Sequence, residues 1–398
     1  MRRSTIYLFR ETSRNVSTSE KMPATPRAHH LDWLRVFAVI LLVPFHAGNI
    51  FVAWSYHIKN VETSRALEIF NGFLGIWHMP LLFFLSGAGT WFALRKRSPR
   101  SYLAERIRRL IVPLAFGILV IIPPQTYLER LQQGRFAGSY LEFYPHFFEG
   151  VYPHGNLTWN HLWFLAYLFV FSLVSLPFLS RLRSGPAGGL WSRTARWLAR
   201  PGRLILLAIP LMLVQALLRV HWPGPQNLVA DWANFTFSLT MFWYGFLLVS
   251  DGALAQAVER QRRAFGAIAI AGTCLMFAIE TGRGAPPWSY NPARLALLAL
   301  GGLNTWCWVL ALVGHAGVWL GRTSAFLEYA KPAALPFYIL HQTVIIVIGY
   351  QVVKWDAGVF VKFAAIAVAS LVITVLIYEI IVRRVAALRF LFGMRARG

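Results

Sequence analysis

The stretch that decides the fold is Asp32-Trp33-Leu34-Arg35-Val36-Phe37-Ala38-Val39-Ile40-Leu41-Leu42-Val43-Pro44-Phe45-His46. No charged or polar side chain interrupts Val36 to Phe45. With its flanks the run covers 33–53, and roughly 20 mostly apolar residues are what a helix needs to cross a bilayer. Composition extends the same reading to the whole chain. Of 398 residues, 57% are hydrophobic and only 14% charged, whereas soluble domains carry about a quarter charged residues. Mean hydropathy is +0.50. Ten spans follow: 33–53, 70–94, 110–128, 161–180, 204–220, 235–250, 264–280, 294–314, 333–353 and 359–382. The expected fold is all-α, a polytopic membrane bundle of about ten transmembrane helices. Pro113, Pro123 and Pro124 predict a kinked or early-ending third helix.

The formal net charge is +23. In a soluble protein that excess suggests nucleic acid; here it follows the loops. One alternating set holds 29 Lys and Arg: six in 1–30, seven in 95–109, six in 181–203, three in 260–263, two in 315–332 and five in 383–398. The opposite set holds nine, and Arg35 lies inside the first span. Basic loops stay in the cytoplasm. Both termini are therefore expected there, in a multi-pass protein of the inner (plasma) membrane, with membrane lipid as a partner and no nucleic acid. The expected organisation is a disordered cytoplasmic tail (1–30), a membrane domain (31–382) and a basic cytoplasmic tail (383–398). Met22 is an alternative start. Two cysteines, Cys274 and Cys307, exclude a disulfide framework.

An ionisable group inside a span is costly and marks function by default. Arg35 and His46 are eleven residues apart, about 1100° or three turns plus roughly 20°, so one helix face carries both across about 16 Å. Asp32 sits three residues before Arg35, within reach of a local ion pair. The plain alternative is a snorkelling arginine and a packing histidine. Arg106 and Arg109 share a face at the start of the third span. Guanidinium forks suit phosphate, although the pair also reads as a positive-inside cluster. By helix depth, His46 and His78 lie about 10 and 13 Å below the outer surface, close enough to be neighbours if the first two helices pack. His161 and Trp163 fall at the outer mouth. His341 reads first as a satisfied core histidine, with a place lining the same cavity as the alternative. Ser86-Gly87 permits close helix approach. The histidines lack metal-ligand spacing.

In order and separation, Arg35-x10-His46, Phe83-Phe84-Leu85-Ser86-Gly87 and Arg106-x-x-Arg109 resemble the membrane acyltransferase-3 family. The resemblance runs over about residues 30–380 and is sharpest in 32–48, 78–87, 105–113, 160–165 and 336–343. Pro44-Phe45-His46, Arg106 to Pro113 and His161-Leu162-Trp163-Phe164-Leu165 are similar to a branch associated with succinyl modification of periplasmic glucans. The resemblance implies transfer of an acetyl or succinyl group from cytoplasmic acyl-CoA, a co-substrate rather than a bound cofactor, to a glycan hydroxyl outside. It implies His46 as the catalytic histidine with Arg35 as its partner. Arg106 and Arg109 become donor-side arginines, and Asp32 an orienting residue. His78, His161 and Trp163 are the expected acceptor-side contacts. Imidazole, with a pKa near about 6.5, suits removal of a hydroxyl proton, and His46 as a transient acyl carrier is equally open. A membrane carrier or flippase for an acylated or phosphorylated precursor is the competing function.

Overall fold

The computed structural model describes residues 28–183, 189–224, 226–282 and 284–395. Residues 1–27 of the expected N-terminal tail, including Met22, and residues 396–398 lie outside the described residues.

The regular structure of the described residues is helical. α1 (His29–Gly48) and α2 (Arg65–Lys96) are joined by residues 49–64, which open with a 3-10 turn. The third span, Pro99–Gln132, is broken into α3 (Pro99–Arg106), α4 (Val112–Phe116) and α5 (Pro123–Gln132). Then come α6 (Tyr140–His146), α7 (Trp163–Arg183), α8 (Leu190–Leu198) and α9 (Ala208–Leu218). α10 (Trp232–Ser250), α11 (Gly252–Gly282), α12 (Pro292–Trp319), α13 (Ala325–Val352), α14 (Val359–Ile377) and α15 (Ala386–Leu391) complete the order. The starts obey local chemistry. Ser98, Asn291 and Ser324 cap α3, α12 and α13 with their side chains, and proline takes the first positions of α3 and α12.

Proline also explains the third span. Its ring removes a donor and crowds the carbonyl four residues back. Wide π-helical turns at Ile107–Ile111 and Gly117–Ile121 precede Pro113 and Pro123. The chain thus stays helical through all three prolines, and the span reaches Gln132.

Eight of the ten expected spans are long and apolar enough to cross a bilayer. The other two fall short. The fifth, Arg203–Leu218, begins in a 3-10 turn and is too short by itself; it suffices only together with α8, from which it is bent by 116°, and counting that broken pair as one span gives nine. The sixth, α10, is 19 residues long, but Asn234, Thr236, Ser238 and Thr240 dilute its hydropathy. α10 packs along α2 through two glycines. A Cβ on Gly87 would lie 1.8 Å from the Phe242 carbonyl oxygen, and one on Gly245 would lie 1.8 Å from that of Phe84. Close backbone approach through small residues is how helices associate without a hydrophobic drive from lipid. Phe83, Phe84, Phe171, Phe242 and Trp306 fill the core around this seam.

Two ends of the bundle can be distinguished. The basic end gathers the start of α1, the end of α2, α3, the start of α13 and α15. Trp33 Nε1 donates to the Arg322 carbonyl there, and Arg395 approaches Glu105. The last basic segment is folded: α15 packs on α4 and on the π-helical turn Tyr378–Val382. The far end gathers the end of α1, residues 52–64, the loop after α5 and the start of α7.

Candidate functional site

α1 runs unbroken through Pro44 and carries Arg35 near the basic end and His46 toward the far end. Arg35 binds Asp32 through a 3.2 Å ion pair, and a Cβ on Gly89 of α2 would meet its Nη2 at 3.5 Å. Arg106 and Arg109 are further charged neighbours. The Arg106 guanidinium stacks over Tyr102, 4.7 Å from the ring centre, and its Nε has no partner. Arg109 faces Glu105 at 3.7 Å. Asp32, Arg35, Arg106 and Arg109 thus gather at the basic end.

The far end brings three histidines into a row. The His46 and His161 rings each lie 5.2 Å from the His341 ring. His341 Nδ1 is taken by the Tyr338 carbonyl at 2.6 Å, while its buried Nε2 has no partner. His161 Nε2 donates to the Ile339 carbonyl at 3.0 Å, and its Nδ1 is likewise buried and unpartnered. His341 is fully buried and His161 nearly so, whereas His46 keeps partial exposure. His341 is therefore a neighbour of His46 as well as a packed core histidine. Among the described residues, no group of three or more His, Cys, Asp or Glu has a metal-binding geometry.

Residues 52–64 form a strap that completes this row. Tyr56 Oη lies 3.3 Å from His46 Nδ1. The strap is pinned at several points. His57 Nδ1 meets the Glu129 carboxylate of α5. Lys59 caps the end of α1 through the Asn49, Val52 and Trp54 carbonyls, and its backbone exchanges two bonds with Gln132. Asn60 receives a bond from the buried Lys362 of α14. Glu129 is 2% exposed and also meets Arg130 and Gln133. Arg130 in turn reaches Asn156 and the Gly155 carbonyl, which fastens the long loop after α5. Burial, then the Glu129 charge, pushes the Tyr56 hydroxyl above its ordinary range, so the phenol stays protonated. Beside His341, Gln125 bridges Thr343, Gln342 and Asn160.

The structure sorts the expected contacts. His161 joins His46. His78 does not pair with it: its Nε2 is held 2.6 Å from the Ala38 carbonyl, clamping α2 to α1, and Phe45 packs near both imidazoles. Trp163 turns away, with its ring 5.0 Å from Tyr167. It lines a separate cavity of about 470 Å³ with Gln215, Arg219, Trp288 and Arg294. Tyr56, His57, Gln125 and Glu129 carried no motif. A carboxylate beside an arginine near the end of a span, Glu129-Arg130, was the one available signal.

A multi-pass helical bundle with one partly exposed imidazole in a cluster of three histidines at the far end and converging arginines at the other has the layout of a membrane acyltransferase. The chain belongs to the acyltransferase-3 family, whose acyltransferase domain matches residues 29–379. It is similar to glucans biosynthesis protein C of Escherichia coli K12, 24% identical over 385 residues that cover 92% of this chain and 94% of that protein. The proteins of the same name from strains O139:H28 (E24377A) and SMS-3-5 match to the same extent.

Proposed function

We propose that this membrane acyltransferase is an O-acyltransferase of the inner membrane. It takes an acetyl or succinyl group from cytoplasmic acyl-CoA and delivers it to a hydroxyl of an envelope glycan, with a periplasmic glucan as the first candidate. The basic end faces the cytoplasm in this reading, with both termini there. The observation that carries it is the partial exposure of His46 alone among the three clustered histidines, eleven residues along α1 from Arg35, about 16 Å. A donor whose phosphates rest on Arg106 and Arg109 can extend its thioester arm along that distance.

The chemistry closes. The acceptor oxygen attacks the thioester carbon, the C–O bond forms and the C–S bond breaks. His46 takes the hydroxyl proton, and the thiolate leaves as coenzyme A after protonation. For Nε2 to act as base, Nδ1 carries the ring proton and donates to Tyr56 Oη, which can accept as a neutral phenol. Nε2 has no protein partner among the described residues, as a base awaiting substrate requires. Asp32 orients Arg35, whose charge lies on the donor path. His161 and His341 offer unpartnered nitrogens beside the reacting atoms.

A carrier or flippase would use the same polar track without consuming donor. Purified protein incubated with acetyl-CoA and succinyl-CoA, with and without a glucan, separates the two readings. Thiol release that requires His46 supports the transferase; transport without thiol release supports the carrier.

A further inference from the structure

We infer that the C-terminal segment Ala386–Arg395 forms one wall of a phosphate-binding site at the basic end, together with Arg97, Arg108 and Arg109. We assign its ligand as the phosphorylated nucleotide end of the donor, which rests on the function proposed above. The family match ends at residue 379, so nothing in that match assigns a role to this segment.

A cavity of about 310 Å³ lies between α3 and the C-terminal segment, near the lower limit of small-molecule sites at about 300 Å³. Its walls are Arg97, Ser101, Glu105, Arg108 and Arg109 on one side and Phe390, Met394 and Arg395 on the other. Four guanidinia thus face one carboxylate. Glu105 already pairs with Arg97, with Arg109 at 3.7 Å and with Arg395 at 3.8 Å. One carboxylate cannot balance four cations, and the surplus favours an anion in the space between them. Phosphate fits, because planar guanidinium forks bind it through paired hydrogen bonds.

The ion pairs do not explain why the segment is there. Arg395 is 71% exposed in its pair with Glu105, and exposed pairs contribute about 0–1 kcal/mol. Burial holds the segment instead. Phe392 is 3% exposed, with its ring 5.4 Å from Phe116 of α4. Gly393 adopts φ +66°, and a Cβ there would meet Pro113 Cγ at 2.9 Å and the Arg109 carbonyl at 3.0 Å. Only glycine permits that turn so close to the helix bearing Arg109. Arg389 Nη2 then donates to the Arg395 carbonyl at 2.7 Å. Apolar packing fixes the turn, and the guanidinium projects at the cavity without being needed to hold it.

Phe390 favours a nucleotide over a lipid headgroup. It is 51% exposed and lines the cavity beside the arginines, as a platform on which a base can stack.

The test is calorimetric binding of CoA and of pyrophosphate to the full-length protein, in phosphatidylcholine nanodiscs with and without phosphatidylglycerol. Arg395→Ala is expected to weaken both ligands about 10- to 30-fold, the lower part of the range for hydrogen bonds to charged groups. Phe390→Ala is expected to weaken CoA alone. Arg384→Ala removes the same charge outside the cavity and leaves both affinities unchanged. Equal CoA affinity in wild type and Arg395→Ala overturns the inference and leaves the donor reading standing. An Arg395 effect confined to phosphatidylglycerol, with CoA affinity untouched, also overturns it in favour of a lipid site. No CoA binding by the wild type removes the inference and the donor reading together.

Discussion

Replacing Tyr56 by phenylalanine deletes one oxygen, the one 3.3 Å from His46 Nδ1. A net neutral hydrogen bond is worth about 0.5–1.5 kcal/mol. At 3.3 Å this bond is longer than the usual N–H···O separation of about 2.9–3.0 Å, which keeps it to about 1 kcal/mol. If its task is to hold the ring with Nε2 toward the acceptor, the loss falls on kcat. A change of about 1.4 kcal/mol is tenfold in rate, so the expected fall is about 3- to 10-fold. Donor KM stays within about twofold, because the phosphate contacts lie at the other end of α1. The strap keeps its place, since His57, Lys59 and Asn60 hold it independently of the phenol oxygen. The assay is initial-rate thiol release over a range of acyl-CoA, with the thermal midpoint measured on the same preparation. An unchanged kcat, or a raised KM at constant kcat, refutes the positioning argument.

Two further substitutions test the frame around the site. Glu129→Gln keeps the side-chain shape but leaves His57 and Arg130 without their buried carboxylate. Breaking a buried pair is destabilising by about 3–5 kcal/mol, so the denaturation midpoint in detergent should fall clearly; an unchanged midpoint refutes the role given to this pair. Gly87→Ala inserts a methyl group 1.8 Å from the Phe242 carbonyl oxygen. Overpacking typically loses about 1–3 kcal/mol, and Gly245→Ala should behave alike from the other side of the seam. Wild-type melting in both variants would contradict the close α2–α10 approach.

The spans were legible where runs were long and apolar. The two that fall short show the limit of that signal: α9 is apolar but only 11 residues long, and α10 is long enough but carries polar side chains along its first half, while both pack against neighbouring helices, α12 and α2. Pro113 and Pro123 correctly marked a disturbed helix, but their outcome was two π-helical turns in a longer span, because wide turns accommodate proline without ending the helix. Within the candidate site, Arg35 and His46 stood out because charge in an apolar run is expensive. His341 did not, because its meaning depends on α13 packing against α1 almost 300 residues away in sequence. Tyr56 was equally silent, and Glu129 offered only its place beside Arg130 at a span end, which is ordinary until tertiary structure buries it. His78 shows the converse: its depth was right for a neighbour of His46, but depth does not fix direction, and its ring turns to a backbone carbonyl.

His46 is the centre of the proposed chemistry. The most direct measurement is donor turnover by purified full-length protein in nanodiscs, using acetyl-CoA and succinyl-CoA with a glucan acceptor, for wild type beside His46→Ala. Loss of a general base is worth about 10²- to 10⁴-fold. The prediction is thiol release by the wild type and a loss of at least about 100-fold in the variant, with insertion and melting unchanged. Full-rate release by a well-folded His46→Ala protein would contradict the central assignment.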